Sequence, residues 1–313
     1  MNILLTNAGR RTYFIDFLSE IKKREKLVIH VADSDKNSAA FYTNVKKKVH
    51  LTPKVIRNEK NYLSSILNLV KKSKISLIIP LSDLDLEILS KNKIRFEKNK
   101  CSVAVSNYSI IKICNDKKKL FYFCKKNDIG YPEIYSKKNL IKRYPIVIKE
   151  KNGSGSKNLK IYKDKKFNLK KDKKFIIQKF IKGTEYNVDI FNDNTGNFLS
   201  CCIKKKYLMR SGETDKCEIV KNKNLEKFAM KISKTFKHIG NLDCDIIVSR
   251  NNELFLVDVN PRFGGGYPFT HISGLNYLEA LIKNYKNKKM FIKKNPKYLI
   301  GMKGLEIKSR IKR

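Results

Sequence analysis

The chain has 313 residues, 41% hydrophobic and 31% charged, a balance that excludes a disordered polyelectrolyte and leaves room for two or three compact units. No apolar stretch approaches the roughly 20 residues of a membrane span, and MNILLTNAGRRTYF has neither a basic start nor a small-residue cleavage site, so a cytoplasmic location is expected. The formal charge of +40 would suit a polyanion, but the lysines run along the whole chain in short clusters (46–48, 117–119, 204–206), so no specific nucleic-acid interface is expected.

Strand and helix patterns alternate over residues 1–105. NILLT (2–6), LVIHVAD (27–33) and ISLIIPL (75–81) read as buried strands. Tyr13, Phe14, Phe17, Leu18 and Ile21 mark one helical face, and Tyr62, Leu63, Ile66, Leu67 and Val70 another. The alternation implies an α/β, doubly wound parallel sheet with right-handed crossovers. Ligands gather beyond the carboxyl ends of such strands, here residues 6–11, 32–35 and 80–87. TNAGRR lacks the glycine spacing of a dinucleotide fingerprint, so no nicotinamide cofactor is expected.

After SVAVSN (102–107), a helix carrying Leu120, Phe121, Phe123 and Cys124 precedes the turn NDIGYP (127–132). The pattern then becomes antiparallel and mixed, of α+β type. Strands are expected at 144–150, 159–163, 175–181, 185–191 and 198–203, then a helix over 225–239 and a strand pair at 242–249 and 253–259. A basic connector occupies 164–174, and the basic tail beyond about 290 reads as peripheral. The seven cysteines have no CxxC spacing and read as reduced, packed thiols.

Three segments carry chemistry. In NLDCDIIVSRNNELFLVDVN (241–260) a two-residue turn at Asn251-Asn252 pairs Arg250 with Glu253, Asp245 with Asp258 and Asp243 with Asn260. Opposed carboxylates with Cβ atoms about 5 Å apart repel, and a divalent cation would resolve the repulsion. Asp258 and Asn260 share a strand face and make, with Asp245, three hard oxygen donors of the kind that hold Mg²⁺ on phosphates; a solvated sheet end with unrelated acids is the plainer alternative. The glycines that follow read as slack backbone. KNGSGSKN (151–158) after Lys149 has the composition of a phosphate cover without a Walker ending, although a Gly-Ser hairpin would look the same. FIIQKFIKGTEYNVDIF (175–191) leads through Gln178 to a polar turn whose free backbone groups could meet a purine edge, with Glu185 able to accept from sugar hydroxyls.

In this order the segments resemble the ATP-grasp superfamily, in the branch similar to carbamoyl phosphate synthase large subunits, biotin carboxylase and small carboxylate–amine ligases. The resemblance implies a pre-ATP-grasp Rossmann-like domain over 1–105, an ATP-grasp N-terminal subdomain with the glycine-rich loop over 106–175, a C-terminal subdomain with hinge and metal site over 176–290, and a basic tail over 291–313. NDKKKLFYFCKKNDIGYPE (115–133) is similar to the family's Asp-Lys helix and Gly-x-Pro turn, which implies Lys117 as the first nucleotide lysine. YPIVIKEKNGSGSKN implies Lys149 as the second, with Gly153, Ser154, Gly155 and Ser156 over the triphosphate. QKFIKGTE implies adenine contacts from Gln178 and the backbone near Phe180 and Ile181, with Glu185 on the ribose. LDCDIIV and LVDVNPRF imply Asp245, Asp258 and Asn260 as magnesium ligands and Arg262 as a phosphate partner. Many relatives carry glutamate at Asp258 and often glutamine at Asp245; aspartate keeps the donor type and leaves the metal number open.

The activity implied is an ATP- and Mg²⁺-dependent (or Mn²⁺-dependent) ligation: a small carboxylate, such as that of an amino acid, becomes an acyl phosphate that an amine attacks, with Arg210 and Arg262 as candidate catalytic residues. Asn7, Arg10, Arg11, Asp83, Glu87, Gly265 and His271 point where the carboxylate or amine could lie. A kinase releasing a phosphorylated small molecule, and a non-catalytic polyanion-binding protein, are the alternative readings. Relatives are often dimers, so a homodimer is expected by analogy alone.

Overall fold

The structure is a computed structural model; it describes residues 1–135, 145–153, 158–163, 174–293 and 295–304. The first sheet is five-stranded and wholly parallel. β1 (Asn2–Thr6), β2 (Val28–Asp33), β3 (Lys48–Leu51), β4 (Leu77–Pro80) and β5 (Ser102–Val103) lie in the order β3-β2-β1-β4-β5. α1 (Tyr13–Lys22) and α2 (Glu59–Ser73) are the crossover helices expected from their apolar faces. The strand order reverses between β1 and β4, so the loops after these two strands frame the crevice of the sheet. β3 was not foreseen because Val49 and Leu51 are 48% and 62% exposed on an edge, so no apolar stripe marks it; SVAVSN pairs as a strand only at Ser102 and Val103.

α3 (Leu86–Lys91), α4 (Lys93–Glu97), α5 (Tyr108–Cys114) and α6 (Lys117–Lys126) complete the first half. Asp116 caps α6 by accepting from the amides of Lys118 and Lys119 at 2.9 and 3.1 Å, which fixes Lys117 at the first helical position, buried. Next come β6 (Ile146–Glu150), β7 (Lys160–Tyr162) and β8 (Phe175–Lys179), an antiparallel sheet of order β7-β6-β8.

The large sheet is antiparallel: β9 (Gly183–Asn192), β10 (Phe198–Arg210), β11 (Glu213–Ile219), β12 (Gly240–Ser249), β13 (Leu254–Asn260) and β14 (Ile300–Met302), in the order β13-β12-β9-β10-β11-β14. α7 (Lys223–Phe236) follows β11, ending at a left-handed Lys237, φ 45°, rather than running on to 239. α8 (Tyr267–Ile272) and α9 (Tyr277–Tyr285) follow β13. The tail is not wholly peripheral, because Ile300–Met302 adds the edge strand beside β11. One core joins the two halves: Phe14 of α1 stacks on Tyr267 with ring centroids 5.4 Å apart and packs edge-on against Phe263. That shared core holds the β1 loop against the ends of β11 and β13.

The β12–β13 hairpin corrects the turn while keeping the acidic pairing. Ser249, not Arg250, opposes Glu253 through an amide-to-carbonyl bond of 2.9 Å, and the connection is the three-residue 250–252 with Asn252 at φ 60°. That shifts the ladder by one residue, to Ile246 opposite Leu256. A β-bulge at Val257 shifts it back, so Asp245 faces Asp258 and Asp243 faces Asn260.

Candidate active site

A cavity of about 370 Å³ lies between the small sheet and the β12–β13 end of the large one. Lys117, Lys149, Gly153, Gln178, Phe180, Ile181, Glu185, Asp245 and Asp258 all line it. Ser154, Gly155 and Ser156 lie outside the described residues. Lys149, buried on β6, donates from Nζ to the carbonyl of Val257 at 2.9 Å. Burial pushes its pKa down to about 8, against the pull of Asp258 and with help from Lys117. Lys117 Nζ donates to the Gly153 carbonyl at 2.5 Å and stands 3.7 Å from Asp258. Gln178 is fixed by donating from Nε2 to the Pro132 carbonyl at 3.0 Å.

Three residues of this site were passed over in the sequence. Lys206 lines the cavity with Nζ 2.8 Å from Asp245 and 3.7 Å from Glu185. Burial opposes its charge, but Asp245 and then Glu185 outweigh burial and raise its pKa. A lysine triplet at 204–206 reads as solvent-facing; the available signal was its period of two within a strand, which turns Lys204 and Lys206 to one face. Asn187 donates from one Nδ2 to Asp243 at 2.7 Å and to Asp245 at 3.1 Å. Asp243 itself is buried, and burial, with Asp189 and Asp245 nearby, raises its carboxyl pKa.

A second cavity, about 210 Å³, opens from the first, since Met209, Gly212, Asp245 and Asp258 line both. Arg10, Arg11, Asp83, Asn260, Arg262 and Gly265 complete much of its wall. Arg262 is gripped by Asp83, 179 residues away, through Nε at 2.8 Å and Nη2 at 2.6 Å, with Asp243 3.8 Å from Nη1. Four candidates line neither cavity. Asn7 donates to the Tyr62 hydroxyl at 3.4 Å, Glu87 accepts from Tyr108 at 3.2 Å, Arg210 pairs with Asp215 at 2.9 Å, and His271 stacks on Phe17 with centroids 3.6 Å apart.

The glycines after Arg262 are not slack. A Cβ on Gly264 would fall 2.1 Å from Asp243 Cγ, one on Gly265 2.5 Å from Glu213 Cδ, and one on Gly266 2.2 Å from Asn187 Oδ1. The backbone is pressed against the polar side chains beneath it, where only glycine fits.

Among the described residues no group of three or more His, Cys, Asp or Glu side chains is placed to hold a metal. The donor set Asp245, Asp258 and Asn260 is two carboxylates and one carboxamide on adjacent strands, facing Lys206 and Lys117. Hard oxygens at the junction of two cavities fit Mg²⁺, and the lysines balance the carboxylates.

Residues 114–266 match the ATP-grasp domain family, and residues 3–104 match the PylC-like N-terminal domain family. The chain carries an ATP-grasp domain. Solved structures share the ATP-grasp fold across nearly its whole length. The L-amino acid ligase from Bacillus licheniformis is 16% identical, with a TM-score of 0.70 over 91% of this chain and 73% of that one. The N5-carboxyaminoimidazole ribonucleotide synthetase from Thermotoga maritima is 17% identical, TM-score 0.66, over 93% and 77%. Biotin carboxylase from Campylobacter jejuni is 16% identical, TM-score 0.71, over 92% and 71%. No curated protein matches the chain. In this ATP-grasp chain, no helix among the described residues is long and apolar enough to cross a membrane.

Proposed function

We propose that this chain is an ATP- and Mg²⁺-dependent ligase that activates a small carboxylate, such as that of an amino acid, as an acyl phosphate and couples it to an amine, releasing ADP and phosphate. The observation that carries the reading is the junction of the two cavities at Asp245 and Asp258. One cavity has the lysines a triphosphate needs, the other has arginines and carboxylates suited to a polar small molecule, and the acidic pair stands where they meet. The solved relatives give further support: one N5-carboxyaminoimidazole ribonucleotide synthetase is an ADP complex, and one biotin carboxylase domain is a complex with MgADP and bicarbonate.

On this reading Gln178 and the backbone at Phe180 and Ile181 seat the adenine, Glu185 accepts from the ribose, and Lys117 and Lys149 hold the phosphates. Asp245, Asp258 and Asn260 would hold Mg²⁺, which neutralises phosphate charge when bound. A carboxylate oxygen attacks the γ-phosphorus in line and ADP departs; the amine nitrogen then attacks the acyl carbon, loses its proton, and phosphate leaves. The buried lysines strengthen each charge contact along that path. Arg262, held by Asp83, orders the wall between the acceptor cavity and the metal donors. This route requires no side-chain nucleophile. The domain limits at 105, 175 and 290 follow the same reading, with Ile300–Met302 added to the large sheet.

The test is ADP release measured across amino acids and small acids offered in pairs, with mass spectrometry of the products. Asp258→Asn should abolish turnover, a loss on the order of a hundredfold or more, in a folded protein. Full turnover with unchanged Mg²⁺ dependence in that variant would sink the metal assignment, and ADP release with one substrate alone would point to a kinase.

A further inference from the structure

Three cations converge on one carboxylate at the Arg10–Arg11 end of the second cavity. Glu213 Oε1 lies 3.6 Å from Arg10 Nη2 and 3.5 Å from Arg11 Nη2, and its Oε2 lies 3.3 Å from Lys303 Nζ. Charge is therefore unbalanced there, while the neighbouring Arg262 and Asp83 neutralise each other. Neither arginine makes a hydrogen bond to Glu213 at these distances. Arg10 gives its hydrogen bond to the Ser211 carbonyl at 3.2 Å. The Arg11 guanidinium makes none among the described residues, although its side chain is only 14% exposed. A guanidinium carries five donors, and no protein acceptor takes one from Arg11 among the described residues.

A second observation points the same way. The Tyr13 hydroxyl is buried with no hydrogen-bond partner. The charges acting most on it are those of Arg11 and Glu213. Arg11 and Glu213 line the same cavity as Asp245, Asp258 and Asn260, while Tyr13, outside that lining, feels the charge of both. Glu213 is wedged against Gly265 and serves as a fixed internal counter-ion.

We propose that one of the two substrates carries an additional anionic group, a carboxylate or a phosphate monoester, that seats on Arg10 and Arg11 in the second cavity. The inference rests on the ligase reading for calling that molecule a substrate. Paired arginine forks match either group bidentately, whereas a neutral end would leave the same donors unused. The arginines come from the loop after β1, and Ser211 and Glu213 from the β10–β11 turn, so the anion would bridge the two halves of the chain.

The test is calorimetry on the full chain with Mg²⁺ and β,γ-methylene-ATP, using glutarate, glycerol 3-phosphate and propionate as probes. Glutarate or glycerol 3-phosphate should bind at least about tenfold tighter than propionate, and whichever of the two wins identifies the group. Arg11→Gln should weaken that binding about tenfold or more, and Glu213→Gln, by removing the competing carboxylate, should strengthen it. Arg10→Gln, at a side chain 61% exposed, gives the same readout if Arg11→Gln does not fold. Equal affinity for all three probes overturns the proposal, and so does tight binding indifferent to these substitutions, which would reflect general attraction to a basic surface. Anion binding that follows the arginines in a chain that does not bind the nucleotide analogue would keep the subsite and remove the ligase reading.

Discussion

Lys149 Nζ donates to the carbonyl oxygen of Val257 across 2.9 Å, and Val257 is the extra residue of the β13 bulge. The bulge thus does two things at once: it restores the register that sets Asp258 opposite Asp245, and it turns a carbonyl out of the ladder to hold the buried lysine. Burial lowers the Lys149 pKa to about 8 from 10.5, so between these values the unfolded chain binds the extra proton. Stability contributed by this residue should therefore rise as pH climbs through that window. If Lys149 holds the phosphates as proposed, nucleotide affinity should move the other way, falling as pH passes about 8 and the lysine loses its charge. Calorimetric titration with an ATP analogue either side of that pH checks both the fall and its disappearance in Lys149→Arg.

Asn187 is the residue that keeps Asp243 and Asp245 together, donating to both from one nitrogen. Asn187→Leu should leave the two carboxylates to repel and lower Mn²⁺ affinity about ten- to a hundredfold, as loss of an outer-sphere partner does. Mn²⁺ titration by electron paramagnetic resonance, with nucleotide present, reads this without turnover. An unchanged Mn²⁺ affinity would show that the bridge has no bearing on the metal donors.

Beneath the site Lys204, fully buried, pairs with Asp189 and lies 3.0 Å from Thr270 Oγ1, while Asn241 donates to Asp189 at 2.8 Å. Removing one partner strands a buried charge. Lys204→Met should cost about 3–5 kcal/mol in denaturant unfolding, and Lys204→Met with Asp189→Leu should recover most of it. Additive losses in the double variant would contradict this account.

Gly264→Ala would drive a Cβ to 2.1 Å from Asp243 Cγ, whereas an alanine at Gly304 meets nothing within 4 Å. The first substitution should lower the thermal midpoint by several degrees, on the scale of about 1–3 kcal/mol of overpacking, and the second should leave it unchanged. Equal midpoints for the two variants would mean that the loop has the slack its glycines suggest.

Much of the site was legible because local pattern carries it. Period-two strands and turn chemistry brought Asp245 to Asp258 by counting, although the counting succeeded through two compensating shifts: a three-residue turn moved the ladder one way and the Val257 bulge moved it back. Lys149 was legible as a strand end before glycines, whereas Lys117 was implied only by the resemblance to the Asp-Lys helix, and the Asp116 cap that fixes it belongs to the structure. Strands β3 and β14 left no such mark, because their apolar residues Val49, Leu51, Ile300 and Met302 stay exposed at sheet edges.

By itself the sequence determined which strands alternate with helices, which polar residues end those strands, and hence the kind of chemistry the chain can host. Only the tertiary structure decided which charges are spent on one another. Lys204 and Lys206 read as surface lysines until Asp189 and Asp245 stand on the strands beside them. Arg262 reads as a phosphate ligand until Asp83 arrives from the other half of the chain, and Arg11 reads as one of several substrate candidates until its guanidinium stands beside Glu213 without a hydrogen bond. Desolvation and pairing depend on what lies across a fold, so they cannot be counted along a strand.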